Sequence, residues 1–328
     1  MTNVRTMTRA SPGDFPRVGV SACVLGHAVR FDGGHKRDAF VVDELATCME
    51  LVPYCPETAI GLPVPRPPIR LVGEDPARPR AVGVRDPSLD VTERLEAYAA
   101  TVADGLGEYD GFVLKKDSPS CGMERVRLYH EGGGAATRNT SGVFARVLRE
   151  RLPNLPMEEE GRLNDPVLRE NFVTRVFVHR RWRALTAEPV RARALIDFHT
   201  RHKYLVMAHS AAAYQRLGRM LSDLSRERAG ATAPAYFTEL MQALARRANR
   251  KRHYNVLQHI MGYLKTRIDA ADKVELADAI ERYRREEVPL VVPITLFRHY
   301  FRVHPDPYIE QQVYLAPHPD SLRLRNHV

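Results

Sequence analysis

The periodicity of the apolar residues changes once along this chain, near residue 160. That change limits the fold to two dissimilar parts. Before it, short apolar runs alternate with helical spacing. Arg17–Ala22, Leu51–Tyr54, Ile69–Val72, Ala81–Val84 and Gly111–Leu114 read as strands, and Asp38–Met49, Val91–Leu106 and Gly142–Arg151 as helices. Strands alternating with helices predict βαβ units and an α/β, Rossmann-like, mostly parallel sheet. After the change, only helical patterns remain: Asp165–Trp182, Arg191–Arg226, Ala235–Ala248, Lys251–Thr266, Lys273–Arg285 and Ile294–Val303. Breaks are expected at Pro189, near Gly230 and Pro234, and at Pro289 and Pro293. Helices without strands between them read as an all-α helical bundle. The expected organisation is an α/β domain at 15–160, a helical linker at 161–189 and a helical domain at 190–320.

A length of 328 residues suits two domains, and 44% hydrophobic with 27% charged residues excludes wholesale disorder. No apolar run approaches the ~20 residues that span a bilayer. Met1–Pro16 has no apolar segment of signal-peptide length, so a cytoplasmic protein is expected. The charge is split unevenly. Residues 1–160 carry 20 Lys and Arg against 23 Asp and Glu, whereas residues 161–328 carry 29 against 17. Such asymmetry points to a polyanion partner for the second part, or to a basic surface with no partner. No phosphate-binding glycine fingerprint follows the first strand, and Gly132-Gly133-Gly134 reads as a flexible loop.

The four cysteines carry the chemical information. They form no CxxC pair, which disfavours an ordinary zinc ribbon. Cys23, Cys55 and Cys121 each lie just past a predicted strand, beside Pro, Gly or Ser. Loops after parallel strands share one edge of the sheet, where ligands bind, so three thiols from distant positions can converge there. Three thiolates suit an iron–sulfur cluster with one open iron, or a zinc ion with one open position. The alternative is three unrelated buried cysteines. Cys48 sits inside a helical pattern and reads as a small buried apolar residue.

Three segments resemble the TudS family of thiouracil desulfidases. They are Val18–Gly26 with Arg30-Phe31-Asp32-Gly33, Pro53–Glu57 with Gly61–Pro68, and Leu114–Gly122. The resemblance covers roughly residues 15–155. The second half resembles the YbgA-type domain (domain of unknown function 1722). That likeness rests on Phe198–His209, on Asn255–His259 with Gly262–Lys265, and on Tyr314–Pro319. The fusion is similar to the RudS-type tRNA 4-thiouridine desulfidases. The resemblance implies a 4Fe-4S cluster bound by Cys23, Cys55 and Cys121 with the fourth iron open, a catalytic carboxylate at Glu57 and a catalytic serine at Ser118. Asp117 departs from the pattern, since family members commonly carry Arg or a similar residue there.

The residue types fit that chemistry. A thiocarbonyl sulfur is soft, and an open iron polarises its C–S bond. Glu57, two residues from Cys55, is placed to act as general base for water. Ser118 is placed to hydrogen-bond substrate or relay a proton. Arg66, Lys115 and Lys116 read either as contacts to a substrate phosphate or as solvated surface cations. From Met241 to Arg267 there are seven basic residues and no acid: Arg246, Arg247, Arg250, Lys251, Arg252, Lys265 and Arg267. Tyr254, Tyr263, His253 and His259 lie among them, a mixture that suits RNA, or else forms a solvated helix face. His199, His202 and His209 are expected to serve packing or RNA contact rather than a metal. The leading expectation is a desulfidase acting on 4-thiouridine in tRNA. The alternatives are a desulfidase of free thiouracil or 4-thio-UMP, and a non-catalytic RNA-binding protein with a structural metal.

Overall fold

The computed structural model describes residues 15–133, 135–222, 224–225 and 227–327. Most of the Met1–Pro16 reading, the end of the glycine run at Gly134 and the predicted helix end at Arg226 fall outside these residues. The chain forms two compact units, one ending at Leu163 and one beginning at Asn164.

The first unit is α/β, as its alternating pattern predicts. Its main sheet is built from β1 (Arg17–Ser21), β2 (Glu50–Tyr54), β5 (Gly111–Leu114) and β8 (Met157–Glu159). It is four-stranded and fully parallel, in the order β2-β1-β5-β8. Val18, Val20, Phe112, Val113 and Leu114 are fully buried, as strands covered on both faces require. Short α1 (Pro56–Ala59) follows β2, and α2 (Thr92–Gly105) packs with α3 (Val143–Arg151) through Ala99, Val102, Phe144 and Leu148 against Phe112. The predicted helix Asp38–Met49 is instead one π turn, Phe40–Glu44, followed by a 3-10 turn, Leu45–Thr47.

The sequence pattern does not announce a second sheet, which the structure contains. It is built from β3 (Ile69–Val72), β4 (Arg80–Gly83), β6 (Val126–Tyr129) and β7 (Thr137–Thr140), in the order β4-β3-β6-β7. The β3–β4 and β6–β7 pairs are antiparallel, and β3–β6 is parallel. Its apolar face, Ile69, Leu71 and Leu128, meets Leu95 of α2 and Val143 of α3.

The second unit is helical. Its main helices are α4 (Pro166–Thr186), α5 (Ala192–His209), α6 (Ala211–Leu221), α7 (Ala229–Ala245), α8 (Arg250–Met261), α9 (Ala270–Arg284) and α10 (Val291–Val303). Asp165 caps α4 by accepting from the amides of Val167 and Leu168, at 2.8 and 3.1 Å. The segment 161–189, expected as a linker, is mostly α4, and its Val178 and Trp182 belong to this unit's core. Trp182 stacks on Phe237 with ring centroids 4.6 Å apart. The expected break at Pro234 is absent, because Pro234 lies inside α7, whose Tyr236, Leu240 and Leu244 are fully buried. The long helix expected over Arg191–Arg226 breaks instead at Ser210, whose side chain accepts from the Ala213 amide at 3.2 Å. Among the described residues, no helix is long and apolar enough to cross a membrane.

Candidate functional site

The chain passes from β1 outward to β2, then returns to place β5 on the other side of β1. The strand order therefore reverses at β1/β5, which makes the carboxyl ends of these strands the natural ligand crevice. Cys23, Cys55 and Cys121 follow β1, β2 and β5.

Each loop is fixed by its own backbone. The Cys23 turn closes through Val24 N to Ser21 O at 2.8 Å and Lys36 N to Cys23 O at 2.9 Å. Cys55 precedes α1, where Pro56 takes the first helical position and the Ala59 amide donates to Cys55 O at 3.0 Å. The Cys121 loop satisfies the free amides at the start of α3. Val143 N donates to Pro119 O at 3.0 Å, and Ala145 N donates to Ser120 O at 3.2 Å. Gly142 sits where these chains touch, and a Cβ there would lie 2.5 Å from Ser120 O and 2.8 Å from Ser118 O. Gly142→Ala is therefore expected to cost about 1–3 kcal/mol by overpacking and to misplace Cys121. A denaturation midpoint equal to the wild type would count against this locking role.

The three cysteines line one cavity of about 370 Å³, together with Glu57, Arg66, Lys115, Lys116 and Ser118. Cys48 does not line it; that residue is buried with its Sγ 3.6 Å from Leu45 O. Burial pushes the Cys23 thiol up to about 11, opposed by the positive charges of Lys115 and Arg30. Burial likewise raises the Cys121 thiol well above its usual value, while a hydrogen bond to Ser21 acts the other way. Thiols so placed are poor nucleophiles. Among the described residues, no group of three or more His, Cys, Asp and Glu side chains is placed to hold a single metal ion. Three soft donors around one cavity are the donor set that an iron–sulfur centre takes. Arg30 also lines the cavity. Its Nε is buried and 3.5 Å from the Asp32 carboxylate, with no hydrogen-bond partner, which suits an anionic assembly beside Cys23.

Glu57 is held at both oxygens. Arg66 Nε and Nη2 reach Oε2 at 2.9 and 2.7 Å, and Ser120 Oγ donates to Oε1 at 2.8 Å. Arg66, expected at a substrate phosphate, instead spends Nη1 on the carbonyls of Val29 and Pro63, at 3.0 and 3.2 Å. Its guanidinium is a buried brace for Glu57. Lys115, also read as a phosphate contact, pairs with Glu160, while Lys116 remains exposed at the cavity. Ser118 Oγ accepts from the amides of Ser120 and Cys121 at 3.2 and 3.1 Å, which leaves its hydroxyl proton free to donate. Asp117 adopts a left-handed backbone (φ 57°), a conformation Asp tolerates, and pairs with Arg138 at 2.8 Å.

Sequence reasoning missed Ser120, which is fully buried, together with Arg30 and Lys36 at the cavity. The Ser-Pro-Ser-Cys run offers two serines, and only the geometry separates their roles. Ser120→Ala is expected to keep the fold and lower turnover about tenfold, by freeing one oxygen of Glu57. Wild-type kcat in that variant would remove Ser120 from the positioning of the carboxylate.

A family model described as 2-thiouracil desulfurase matches residues 18–160, and one described as protein of unknown function DUF1722 matches residues 203–319. The uncharacterized protein YbgA of Escherichia coli (strain K12) is 30% identical over 161 residues, covering 48% of this chain and 94% of that protein. The chain belongs to the YbgA (DUF1722) family, with a segment similar to 2-thiouracil desulfurases ahead of that part. The solved structure of the 4Fe-4S-dependent thiouracil desulfidase TudS is 28% identical. It covers 48% of this chain and 99% of its own, with a TM-score of 0.38. All three cavity cysteines, with Glu57, Ser118 and Ser120, fall within the desulfurase match.

In the DUF1722 part, the seven basic residues divide into two sets. Arg246, Arg247, Lys251 and Lys265 are exposed. The other three are engaged within the protein, a departure from the uniform basic face expected. Arg250 Nη1 donates to Tyr283 O at 2.6 Å, Arg252 Nη1 donates to His209 O at 3.0 Å, and Arg267 pairs with Asp306 at 2.9 Å. Their partners come from remote positions, which local charge counting does not see. The three histidines are held within the helical unit through Nδ1. His202 is 1% exposed with Nδ1 2.7 Å from Phe198 O, and His209 Nδ1 lies 2.6 Å from Arg246 O. His199 Nδ1 lies 3.1 Å from the Tyr236 hydroxyl.

Proposed function

We propose that this protein removes sulfur from 4-thiouridine in tRNA, giving uridine and sulfide, with a 4Fe-4S cluster held by Cys23, Cys55 and Cys121. The observation that carries the reading is the convergence of three buried or half-buried thiols with a braced carboxylate in one cavity. The similarity of residues 18–160 to the 2-thiouracil desulfurase model supports the reaction class. The basic excess of residues 161–328 supports a polyanionic substrate.

Three cysteine ligands leave one iron of such a cluster open, and when bound it supplies a soft Lewis acid for a thiocarbonyl sulfur. The protein's residues supply the rest. Glu57 takes a proton from the attacking water and returns it to the departing sulfur. The water oxygen bonds to C4 of the pyrimidine, the C4–S bond breaks, and the second water proton leaves as the C4 carbonyl forms, so water and thiocarbonyl give carbonyl, HS− and a proton with no electrons exchanged overall. Arg66 and Ser120 hold the Glu57 carboxylate still, so its orientation is set before substrate arrives. Ser118 donates a hydrogen bond from its hydroxyl to the pyrimidine. Arg30, Lys36 and Lys116 stand at the cavity for the phosphate of the thiolated nucleotide.

A cavity of about 370 Å³ also takes a single nucleotide, which favours free 4-thio-UMP or thiouracil as the second reading. Incubation of oxygen-free protein with bulk tRNA, followed by nucleoside composition analysis, separates the two. The expected result is loss of 4-thiouridine, a matching gain of uridine and release of sulfide. Unchanged tRNA beside rapid consumption of 4-thio-UMP would overturn the tRNA reading.

A further inference from the structure

The helical unit holds its own cavity, of about 270 Å³, lined by α4, α5, the loop before α8, α8 itself, α9 and the C-terminal segment. Its polar lining has an unusual balance. Two guanidinium groups reach it, Arg250 and Arg325, and Glu170 is the one acid among the described lining residues. Arg325 Nε already takes Glu170 at 2.9 Å, and its Nη1 takes Tyr314 O at 2.7 Å. Arg250 Nη1 takes Tyr283 O at 2.6 Å, and its Nε lies 3.4 Å from the exposed Glu286 carboxylate. Among the described residues, neither Nη2 has a hydrogen-bond partner.

Facing these cations are the imidazoles of His209 and His253, both kept neutral by burial. His209 Nδ1 lies 2.6 Å from a carbonyl oxygen, which only accepts, so Nδ1 carries the hydrogen and Nε2 keeps a lone pair. His327 also lines the cavity, its Nδ1 2.9 Å from Leu324 O. Burial drives the His209 pKa down to about 4, so it stays neutral at physiological pH. The cavity thus presents cationic donors and neutral acceptors together, between the Tyr283 ring and apolar side chains such as Leu205. A metal cation is repelled by the two arginines. Inorganic phosphate satisfies the arginines and can donate a P–OH to an imidazole, but it has no sugar or base to fill the space between the Tyr283 ring and Leu205. A ligand bearing a phosphate together with O–H or N–H donors satisfies both.

The position supplies the source. Exposed Arg246 and Arg247 lead directly into the lining residues Ala248, Asn249 and Arg250, and exposed Lys251 follows. The first turn of α8 holds Arg250, Lys251 and Arg252 with no acid, against the polarity of a helix N-terminus. An RNA strand drawn to these cations by its phosphates passes the cavity mouth. We infer that this cavity is a subsite for one nucleotide, with its phosphate on Arg250 and Arg325 and its sugar or base donors on the imidazoles. The inference rests on the tRNA reading only for where that nucleotide comes from.

Equilibrium dialysis of the full chain against labelled UMP, uridine and inorganic phosphate tests it, with unfolding midpoints as the control for folding. UMP is expected to occupy a site that Ala248→Phe, which fills the cavity, removes, apart from any UMP held in the first unit, which that variant leaves in place. Arg250→Gln is expected to weaken that site about tenfold, and phosphate to compete poorly. Ala248→Phe is also expected to weaken tRNA binding about tenfold, the scale of removing one nucleotide from its site. UMP occupancy unaltered in both folded variants, or phosphate competing as well as UMP, would overturn the subsite. UMP binding lost in Ala248→Phe with tRNA affinity unchanged would assign the cavity to a free nucleotide and overturn the RNA source. Failure of the desulfidase reading removes a site in the first unit, which Ala248→Phe leaves intact, so the two failures are distinguishable.

Discussion

Glu57→Gln is expected to lower desulfidation of any thiolated pyrimidine about 10²–10⁴-fold, the usual range for losing a general base, while iron content stays at the wild-type level. The amide keeps the shape of the side chain: its one oxygen still accepts from Arg66, and its NH2 then faces the Ser120 hydroxyl oxygen, which can accept. What it loses is the capacity to take a proton from water. The loss should fall on kcat, because nothing that holds the substrate phosphate changes. Arg66→Met complements this test by leaving the carboxylate without its brace, and a smaller loss is expected there. Full turnover by Glu57→Gln would remove the carboxylate from the chemistry and leave it as an anchor for Arg66.

The second large effect concerns the exposed cations of the helical unit. Replacing Arg246, Arg247, Lys251 and Lys265 together by Ala is expected to weaken tRNA binding strongly. The slope of log affinity against log salt should fall by roughly 0.7–0.9 for each phosphate no longer neutralised. These four side chains are exposed and anchor nothing in the core, so the fold should persist. Turnover of 4-thio-UMP should not change, because the desulfurase cavity lies wholly within the first unit. An unchanged salt slope would show that tRNA, if bound at all, is held elsewhere.

Much of the site is legible in the sequence because its signals are local. A thiol beside Pro, Gly or Ser at the end of an apolar run marks a loop at a strand's carboxyl end, and the sheet order brings three such loops together. What the sequence hides depends on partners remote along the chain. β8 ends in Glu158 and Glu159, and Glu160 follows it. A run of acids reads as surface, yet all three are buried. Arg162 answers Glu158 at 2.6 Å, the Met123 amide answers Glu159 at 2.7 Å, and Lys115 with the Lys116 amide answers Glu160. β7, Thr137–Thr140, has no apolar residue to announce it and exists through its pairing with β6. Arg66 misleads for the same reason: its Pro-rich surroundings look like surface, while its charge partner lies nine positions back. In the helical unit, Pro234 reads as a break, but a buried apolar face carries the helix through it.

Purifying the protein without oxygen, and measuring iron, acid-labile sulfide and tRNA desulfidation on the same sample beside Cys121→Ala, bears on every step above. About four irons and four sulfides per chain are expected in the wild type, with turnover, and loss of both in the variant. A colourless, iron-poor preparation that still releases sulfide from tRNA at full rate would rule out a thiolate-held cluster as the seat of the reaction.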